Sequence, residues 1–218
     1  MSMLVLENVG YKYKGAERLT LDGVSCAFEA GACHAVVGPS GSGKTTMLSM
    51  MAGLDLPHFG SIFIEGESLA GINLDKYRRE RVAMIFQAFQ LFPLMTALEN
   101  VCYPMELNGV PKHEAKERAA ALLESVGIVQ SMHKRYPSNL SGGEQQRVAI
   151  ARALAGGAKV ILADEPTGNL DEENGEIVIE ILQKLAHEAD YCVIIVTHNL
   201  DIADKCDKVF RMRNGKLS

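Results

Sequence analysis

No apolar run in the 218 residues approaches the ~18 needed to span a bilayer, so any membrane role is expected to come through a partner. A basic excess is missing too: 22 Lys and Arg stand against 27 Asp and Glu, a net charge of −5. That balance lacks the electrostatic footprint of a nucleic-acid binder, and no nucleic-acid partner is expected. The five cysteines, Cys26, Cys33, Cys102, Cys192 and Cys206, contain no C-x-x-C pair and have no histidine partner at metal spacing. Odd in number and set among apolar neighbours, as in Tyr191-Cys192-Val193, they read as reduced thiols used as small hydrophobes. The start carries no charged-then-apolar signal segment, which together with reduced thiols points to the cytoplasm. Internal repeats and low-complexity segments are absent as well.

What is present is an ordinary globular composition, 47% hydrophobic and 22% charged, long enough for one domain with a subdomain. Leu4 to Leu6, Leu19 to Phe28 and Cys33 to Val37 alternate or run as strands, and a helix follows around Thr46 to Ala52. Gly60 to Gly66 and Val82 to Phe86 read as further strands, making the first third strand-rich. From Ala97 to Leu107 and from His113 to Val126 the apolar spacing turns helical, punctuated by Pro111 and Pro137. Val160 to Ala163 and Val193 to Val196 are uninterrupted apolar runs of the kind buried on both faces. Between them Val178, Ile181, Leu182 and Leu185 form a helical stripe, with Glu180 and Lys184 expected to pair on the exposed side. The chain closes on Val209 to Met212 and a turn at Asn214-Gly215. Strand, helix, strand implies right-handed crossovers and a mostly parallel sheet covered by helices, an α/β fold.

Gly38-Pro39-Ser40-Gly41-Ser42-Gly43-Lys44-Thr45-Thr46 follows the strand Ala35-Val36-Val37 and fits a phosphate-binding loop. Its three glycines leave room for backbone N–H groups to wrap phosphates, and the helix opening near Lys44 adds the positive end of its dipole. Lys44 is placed to bridge the outer phosphates and Thr45 to ligate Mg²⁺. Asp164-Glu165 ends a buried strand, where ligands gather in parallel sheets. Asp164 suits Mg²⁺ through its water shell, and Glu165 suits a general base that polarises water.

Leu140-Ser141-Gly142-Gly143-Glu144-Gln145-Gln146-Arg147 opens a helix, with Ser141 and Glu144 at capping-box spacing. Two consecutive glycines cost helix propensity and suggest close approach of the backbone to a ligand. The free N–H groups of this helix start would suit a second phosphate. With a single phosphate loop in the chain, that phosphate is expected to belong to another subunit's nucleotide.

Taken together, the phosphate loop, Gln87, Leu140 to Arg147, Asp164-Glu165, Asn169-Leu170-Asp171 and His198 resemble the ATP-binding-cassette ATPases, across essentially the whole chain. The resemblance implies a phosphate-loop NTPase fold with a mostly parallel central sheet, an N-terminal antiparallel β part and an inserted helical subdomain. It implies one domain over 1–218, with 1–87 and 158–218 as nucleotide-binding core and 88–157 as the helical subdomain. The cofactors implied are ATP and Mg²⁺, and the partner is a second copy arranged head to tail. In that dimer each ATP lies between one subunit's phosphate loop and the other's Ser141, Gly142, Gly143 and Glu144. Tyr13 resembles the aromatic that stacks on adenine, Tyr11 being the alternative by spacing and a strand-edge tyrosine the plain reading. Gln87 resembles the glutamine that touches Mg²⁺ and water, and His198 the histidine that contacts the γ-phosphate with Glu165. Asp171 resembles the residue linking the two sites, and equally suits a helix N-terminal carboxylate.

The apolar stretch Phe86 to Val101 is partly core, and in the family it forms the groove for a helix of the membrane subunit. An integral membrane permease docking near Gln87 to Leu94 is therefore implied, with Phe89, Leu91 and Phe92 in contact. It would hold the protein peripherally on the inner face of the cell membrane. Leu94 to Val101 and Ala163 to Asp171 look most like the branch of lipoprotein-releasing, macrolide-exporting and cell-division ATPases (LolD, MacB and FtsE types). Export or extraction of a peptide, lipoprotein or antimicrobial is the favoured role. The alternative is control of cell division or wall hydrolysis without transport. Asn199 replaces a frequent aspartate after His198, and the short sequence after Gly215-Lys216 predicts no C-terminal sensor. A soluble mechanical ATPase would bring coiled-coil insertions, paired cassettes or basic surfaces, and a GTPase switch would bring Asn-Lys-x-Asp; the sequence has none of these.

Overall fold

The computed structural model describes residues 2–218. Its elements run β1 (Ser2–Tyr11), β2 (Leu21–Glu29), β3 (Ala32–Val37), α1 (Lys44–Met51), β4 (Phe59–Ile64), β5 (Glu67–Ser68), α2 (Leu74–Glu80) and β6 (Val82–Phe86). There follow α3 (Ala97–Leu107), α4 (Lys112–Ser125), α5 (Gly142–Ala155), β7 (Val160–Asp164), α6 (Glu172–Ala189), β8 (Cys192–Thr197), α7 (Leu200–Ala203), β9 (Lys208–Arg213) and β10 (Lys216–Leu217). A six-stranded sheet in the order β10-β9-β3-β8-β7-β6 forms the centre, parallel from β9 to β6. Only β10 is antiparallel, returned by Asn214 and Gly215, both with positive φ (51° and 76°) as a tight hairpin turn requires.

The apolar runs of β7 and β8 are buried because each face of this sheet is covered. Val36, Leu162, Ile194 and Val196 pack with Met47, Leu48 and Met51 of α1 in one cluster. Ile161, Ala163, Val193 and Ile195 pack with Val178 and Leu182 of α6 and Val148 of α5 in the other. Side chains alternate across a strand, so neighbouring residues of β7 serve opposite cores. Each fully buried aliphatic side chain contributes roughly 1.5–3 kcal/mol.

A second, antiparallel sheet, β2-β1-β4-β5, lies over the α1 cluster through Leu4, Leu6, Phe28, Ile62 and Ile64. Helices α3, α4 and α5 pack on one another through Val101, Met105, Ala115, Ala119, Leu123 and Val148. Among the described residues no helix is long and apolar enough to cross a membrane.

Three sequence expectations need correction. Leu19 is exposed and precedes β2, which starts at Leu21. Helix α2 interrupts the strand-rich first third. Most of its residues are charged and Tyr77 alone is buried, so it carries no helical stripe. Its holding interactions are the Asn73 cap on the Lys76 N–H and the Tyr77 hydroxyl, which donates to the Met51 carbonyl at 2.6 Å. Among the described residues Glu180 and Lys184 form no ion pair; both are exposed, where water competes with the pairing. The cysteines are free, with Cys33, Cys102 and Cys192 buried, and the Cys33 and Cys206 sulfurs meet at 3.3 Å.

Asn100 shows how the loop before α3 is held. Fully buried, it accepts from the Phe92 N–H at 2.8 Å and donates toward the carbonyls of Phe92, Met95 and Thr96. Asn100→Ala strands these groups and should lower unfolding free energy by about 2–3 kcal/mol, read by urea denaturation. A loss below about 0.5 kcal/mol would show that the loop is held by its apolar contacts instead.

Candidate nucleotide site

The parallel ladder brings four strand ends level. Val37 pairs with Thr197, Asp164 with Val196 and Phe86 with Asp164. The chain therefore leaves the sheet side by side as Gly38, His198, Glu165 and Gln87. Over these ends lies a cleft of about 730 Å³. Its lining includes Ser40, Gly41, Gly43, Lys44, Thr45 and Thr46 on one side and Gln87, Asp164, Glu165 and His198 on the other.

Within the phosphate loop the glycines have different reasons. A Cβ on Gly38 would lie 2.2 Å from the Met212 carbonyl oxygen, and one on Gly43 2.7 Å from that of Thr20. Gly41 has φ of +75° and open space around it, so it serves the turn and leaves the cleft clear. Gly38, Pro39 and Ser42 do not line the cleft; Gly38 and Ser42 pack against the fold and Pro39 turns a carbonyl toward Lys44. Helix α1 begins after Gly43 with no side-chain cap, so its first N–H groups are available to an anion. Lys44 is almost buried and donates to the carbonyls of Gly38 at 2.7 Å and Pro39 at 3.0 Å.

Facing it, Glu165 has φ of +46°, uncommon for a residue with a side chain. Its carboxylate accepts from the Thr197 hydroxyl at 3.0 Å and lies 2.7 Å from Nδ1 of His198, whose ring is mostly exposed. Burial pushes the Asp164 carboxyl above its ordinary range and Glu165 adds to this, while Lys44 and the Thr45 hydroxyl oppose it. Thr45, Asp164 and Gln87 line the same cleft. These hydroxyl, carboxylate and amide oxygens form the hard donor set that suits Mg²⁺. Gln87 is oriented by Asn169: its Nε2 donates to Asn169 Oδ1 at 3.2 Å, and Asn169 Nδ2 donates to the Gln87 carbonyl at 2.9 Å.

At the mouth, Tyr13 is half exposed with its hydroxyl 3.2 Å from Thr46 Oγ1, free to stack on a base. Tyr11 is buried, donates to Asp55, and meets the Tyr13 ring edge-on at 5.0 Å. It buttresses Tyr13 and has no open face of its own.

Ser141 to Glu144 do not line this cleft. They start α5 with a complete capping box: Glu144 accepts from the Ser141 N–H at 2.7 Å and Ser141 Oγ from the Glu144 N–H at 3.3 Å. The paired glycines are only partly explained by a ligand. A Cβ on Gly143 would lie 2.0 Å from Asn174 Oδ1, so Gly143 is required by packing against α6, whereas Gly142 meets nothing closer than 3.5 Å. Asp171 is the exposed N-cap of α6, accepting from the Asn174 N–H at 2.8 Å, and the Asn174 bonds hold its carboxyl below the usual range.

Three residues on or beside α5 were not anticipated. Fully buried Gln146 donates to the Pro166 carbonyl at 2.7 Å and toward that of Phe86 at 3.4 Å, tying α5 to the residues beside Glu165 and Gln87. Arg152 donates to the carbonyls of Phe89 and Gln90, both in left-handed backbone, and lies over the Phe92 ring. Asn174 joins the starts of α5 and α6, taking an Arg147 bond at 3.4 Å. Gln146 had a visible signal: it shares a helical face with Gly143 and Ile150, a polar residue in a buried row.

The family model described as ABC transporter matches residues 21–168. The chain belongs to the ABC transporter family. It is 40% identical over 211 residues to the lipoprotein-releasing system ATP-binding protein LolD of Blochmanniella floridana, covering 95% of this chain and 89% of that one. It is 41% identical over 200 residues to the macrolide export ATP-binding/permease protein MacB of Brucella melitensis, covering 90% of this chain but 31% of that longer protein. The solved ABC transporter cassette MJ0796, described as dimeric, superposes with a TM-score of 0.89 at 37% identity, over 99% of this chain and 97% of that one. A second structure of MJ0796 is described as a post-hydrolysis state bound to ADP and Pi, with the same similarity. The expected ABC ATPase fold is thus the observed one.

Two outcomes follow for this cassette. Gly143→Ala should cost about 1–3 kcal/mol by overpacking, and Gly142→Ala about 0.5 kcal/mol or less; Asn174→Ala should recover part of the Gly143→Ala loss in a denaturation cycle. Asp164→Asn should stabilise the nucleotide-free protein at neutral pH. A carboxyl whose folded pKa is raised opposes folding while ionised, and the advantage should fade as pH falls through the carboxylate range, read as melting temperature against pH.

Proposed function

We propose that this cassette is the ATP-hydrolysing subunit of a transporter, working as a head-to-tail dimer around two Mg-ATP and powering an integral membrane permease. The observation that carries the proposal is the division of the site. Lys44, Asp164, Glu165 and His198 share one cleft, while Ser141, capping an exposed helix start, lies outside it. A single chain thus holds the hydrolytic half and displays a second anion-binding half outward. The dimeric description of MJ0796 supports this reading.

In the proposed reaction the phosphates take the α1 N-terminus and draw Lys44 from the Gly38 and Pro39 carbonyls onto their outer oxygens. Tyr13 stacks on the adenine. Glu165, fixed by Thr197, accepts a proton from the attacking water as general base, and His198 contacts the γ-phosphate. Thr45, Asp164 and Gln87 would hold Mg²⁺, which neutralises charge developing on the phosphates. The partner's Ser141, Gly142, Gly143 and Glu144 complete the site, and Asp171 at the neighbouring α6 start links it to the other one. Closure is driven by contacts that ATP makes only in the closed state.

The permease is proposed to dock near Gln87 to Leu94, where Leu94 is 90% exposed and Phe92 40%. Residues 88–157 form the helical subdomain in this reading, and 1–87 with 158–218 the nucleotide-binding core. The protein would sit on the cytoplasmic face of the membrane through that partner. The proposed role is export or extraction of a peptide, lipoprotein or antimicrobial, supported by the lipoprotein release and macrolide export in the names of LolD and MacB.

Glu165→Gln should lower ATP turnover by at least about 100-fold while stabilising an ATP-bound dimer in gel filtration. Unchanged turnover would remove Glu165 as the base. Ser141→Arg should block the dimer and spare nucleotide binding by the monomer.

A further inference from the structure

Of the five cysteines, the fold brings together two from opposite ends of the sequence. Cys33, the second residue of β3, is fully buried; Cys206, between α7 and β9, is partly exposed. Their sulfurs are 3.3 Å apart although 173 positions separate them. Among the described residues no other two thiols are within hydrogen-bonding distance.

The backbones are already fixed beside each other. The Cys33 N–H donates to the Asp207 carboxylate at 2.7 Å, and the Asp207 N–H donates to the Cys33 carbonyl at 2.8 Å. The parallel ladder continues from the next residues, His34 with Lys208. That register puts Asp207 opposite Cys33 and Cys206 one residue before it, with its sulfur already 3.3 Å from that of Cys33. A bridge therefore needs the two sulfurs to close from 3.3 Å to the roughly 2.05 Å of a disulfide bond.

The pair is also chemically unequal. The two thiols share one hydrogen bond, and with Cys33 as its donor the Cys206 thiol is lowered and that of Cys33, fully buried, is raised. The more accessible sulfur is thus the better nucleophile, and the buried one is placed to resolve it.

We propose that Cys33 and Cys206 form a reversible disulfide latch, closed by a peroxide and reopened by a dithiol. In the first step the Cys206 thiolate attacks one peroxide oxygen and the O–O bond breaks. Cys206 becomes a sulfenic acid, and the other oxygen leaves with a proton, as water when the oxidant is hydrogen peroxide. In the second step Cys33 sulfur attacks Cys206 sulfur, the S–S bond forms, and the hydroxyl leaves with the Cys33 proton as water. The two sulfurs together lose the two electrons that the peroxide gains. A dithiol reverses this by exchange, leaving as its own disulfide and restoring both thiols.

The latch sits at the end of β3 away from the phosphate loop, which departs from Val37 at the other end. It joins the strand that presents Gly38 to the segment returning from His198 through α7. Closing so long a loop removes freedom from the unfolded chain, so the oxidised protein should unfold at higher temperature.

The test treats the full chain with hydrogen peroxide, alkylates remaining thiols and maps peptides by mass spectrometry. The expected result is an intramolecular link between Cys33 and Cys206, loss of alkylation at both, and a rise in melting temperature that dithiothreitol reverses. Cys33→Ser should stop at a Cys206 sulfenic acid trapped by dimedone, with no rise. Because the link is mapped in the unaltered protein, the outcome does not depend on the variant folding. Cys206 found as sulfinic or sulfonic acid with Cys33 still alkylated, or a link through another cysteine, would overturn the proposal.

Discussion

The site depends on one constraint, the level alignment of four parallel strands whose carboxyl ends meet at a single edge. Phe86, Asp164, Val196 and Thr197, and Val37 are matched across β6, β7, β8 and β3. Gln87, Glu165, His198 and Gly38 are simply the next residues along. Because both faces of these strands are apolar, alternation alone does not distinguish one register from the next. Polar closures at the edge supply that distinction: the Glu165 N–H donates to the Val196 carbonyl at 2.9 Å, and Thr197 holds the Glu165 carboxylate. The same bonds that fix the register aim the Glu165 carboxylate, the proposed base.

Helix α5 extends this alignment to its own start at Ser141, the proposed second anion site. Its start is pressed against α6 through Gly143 and Asn174, its middle is bonded beside Gln87 and Glu165 by Gln146, and Arg152 holds the carbonyls of Phe89 and Gln90. A shift at Gln87 is therefore shared with Ser141, on the face proposed for a second copy, and with Phe92, on the face proposed for a permease. Coupling by buried hydrogen bonds of this kind needs no long-range field, only elements that move as one.

The sequence was most legible where one physical cause dominated. Doubly buried strands announced themselves as the runs Val160 to Ala163 and Val193 to Val196. The phosphate loop did so because glycine, lysine and threonine at that spacing serve few other purposes. Legibility failed where the cause lay in a distant residue. Gly143 looked like ligand chemistry and is explained by Asn174. Helix α2 has no apolar stripe and exists because Tyr77 and Asn73 tether it. Tyr11 and Tyr13 alternate along one segment, and only the packing of Tyr11 against Asp55 leaves Tyr13 as the free ring. Cys33 and Cys206 are adjacent solely through the β3–β9 pairing.

The central claim is that each ATP site is assembled from two chains, and mixing two defective proteins tests it most directly. Lys44→Ala disables a chain's own phosphate loop and Ser141→Arg its outward helix start, so each protein alone has no complete site. A head-to-tail dimer of one with the other contains one intact site, formed by the loop of the Ser141→Arg chain and the helix start of the Lys44→Ala chain. Equimolar mixing should therefore restore ATP-dependent association and hydrolysis absent from either protein alone. Activity in the mixture no greater than the sum of the two would contradict the account.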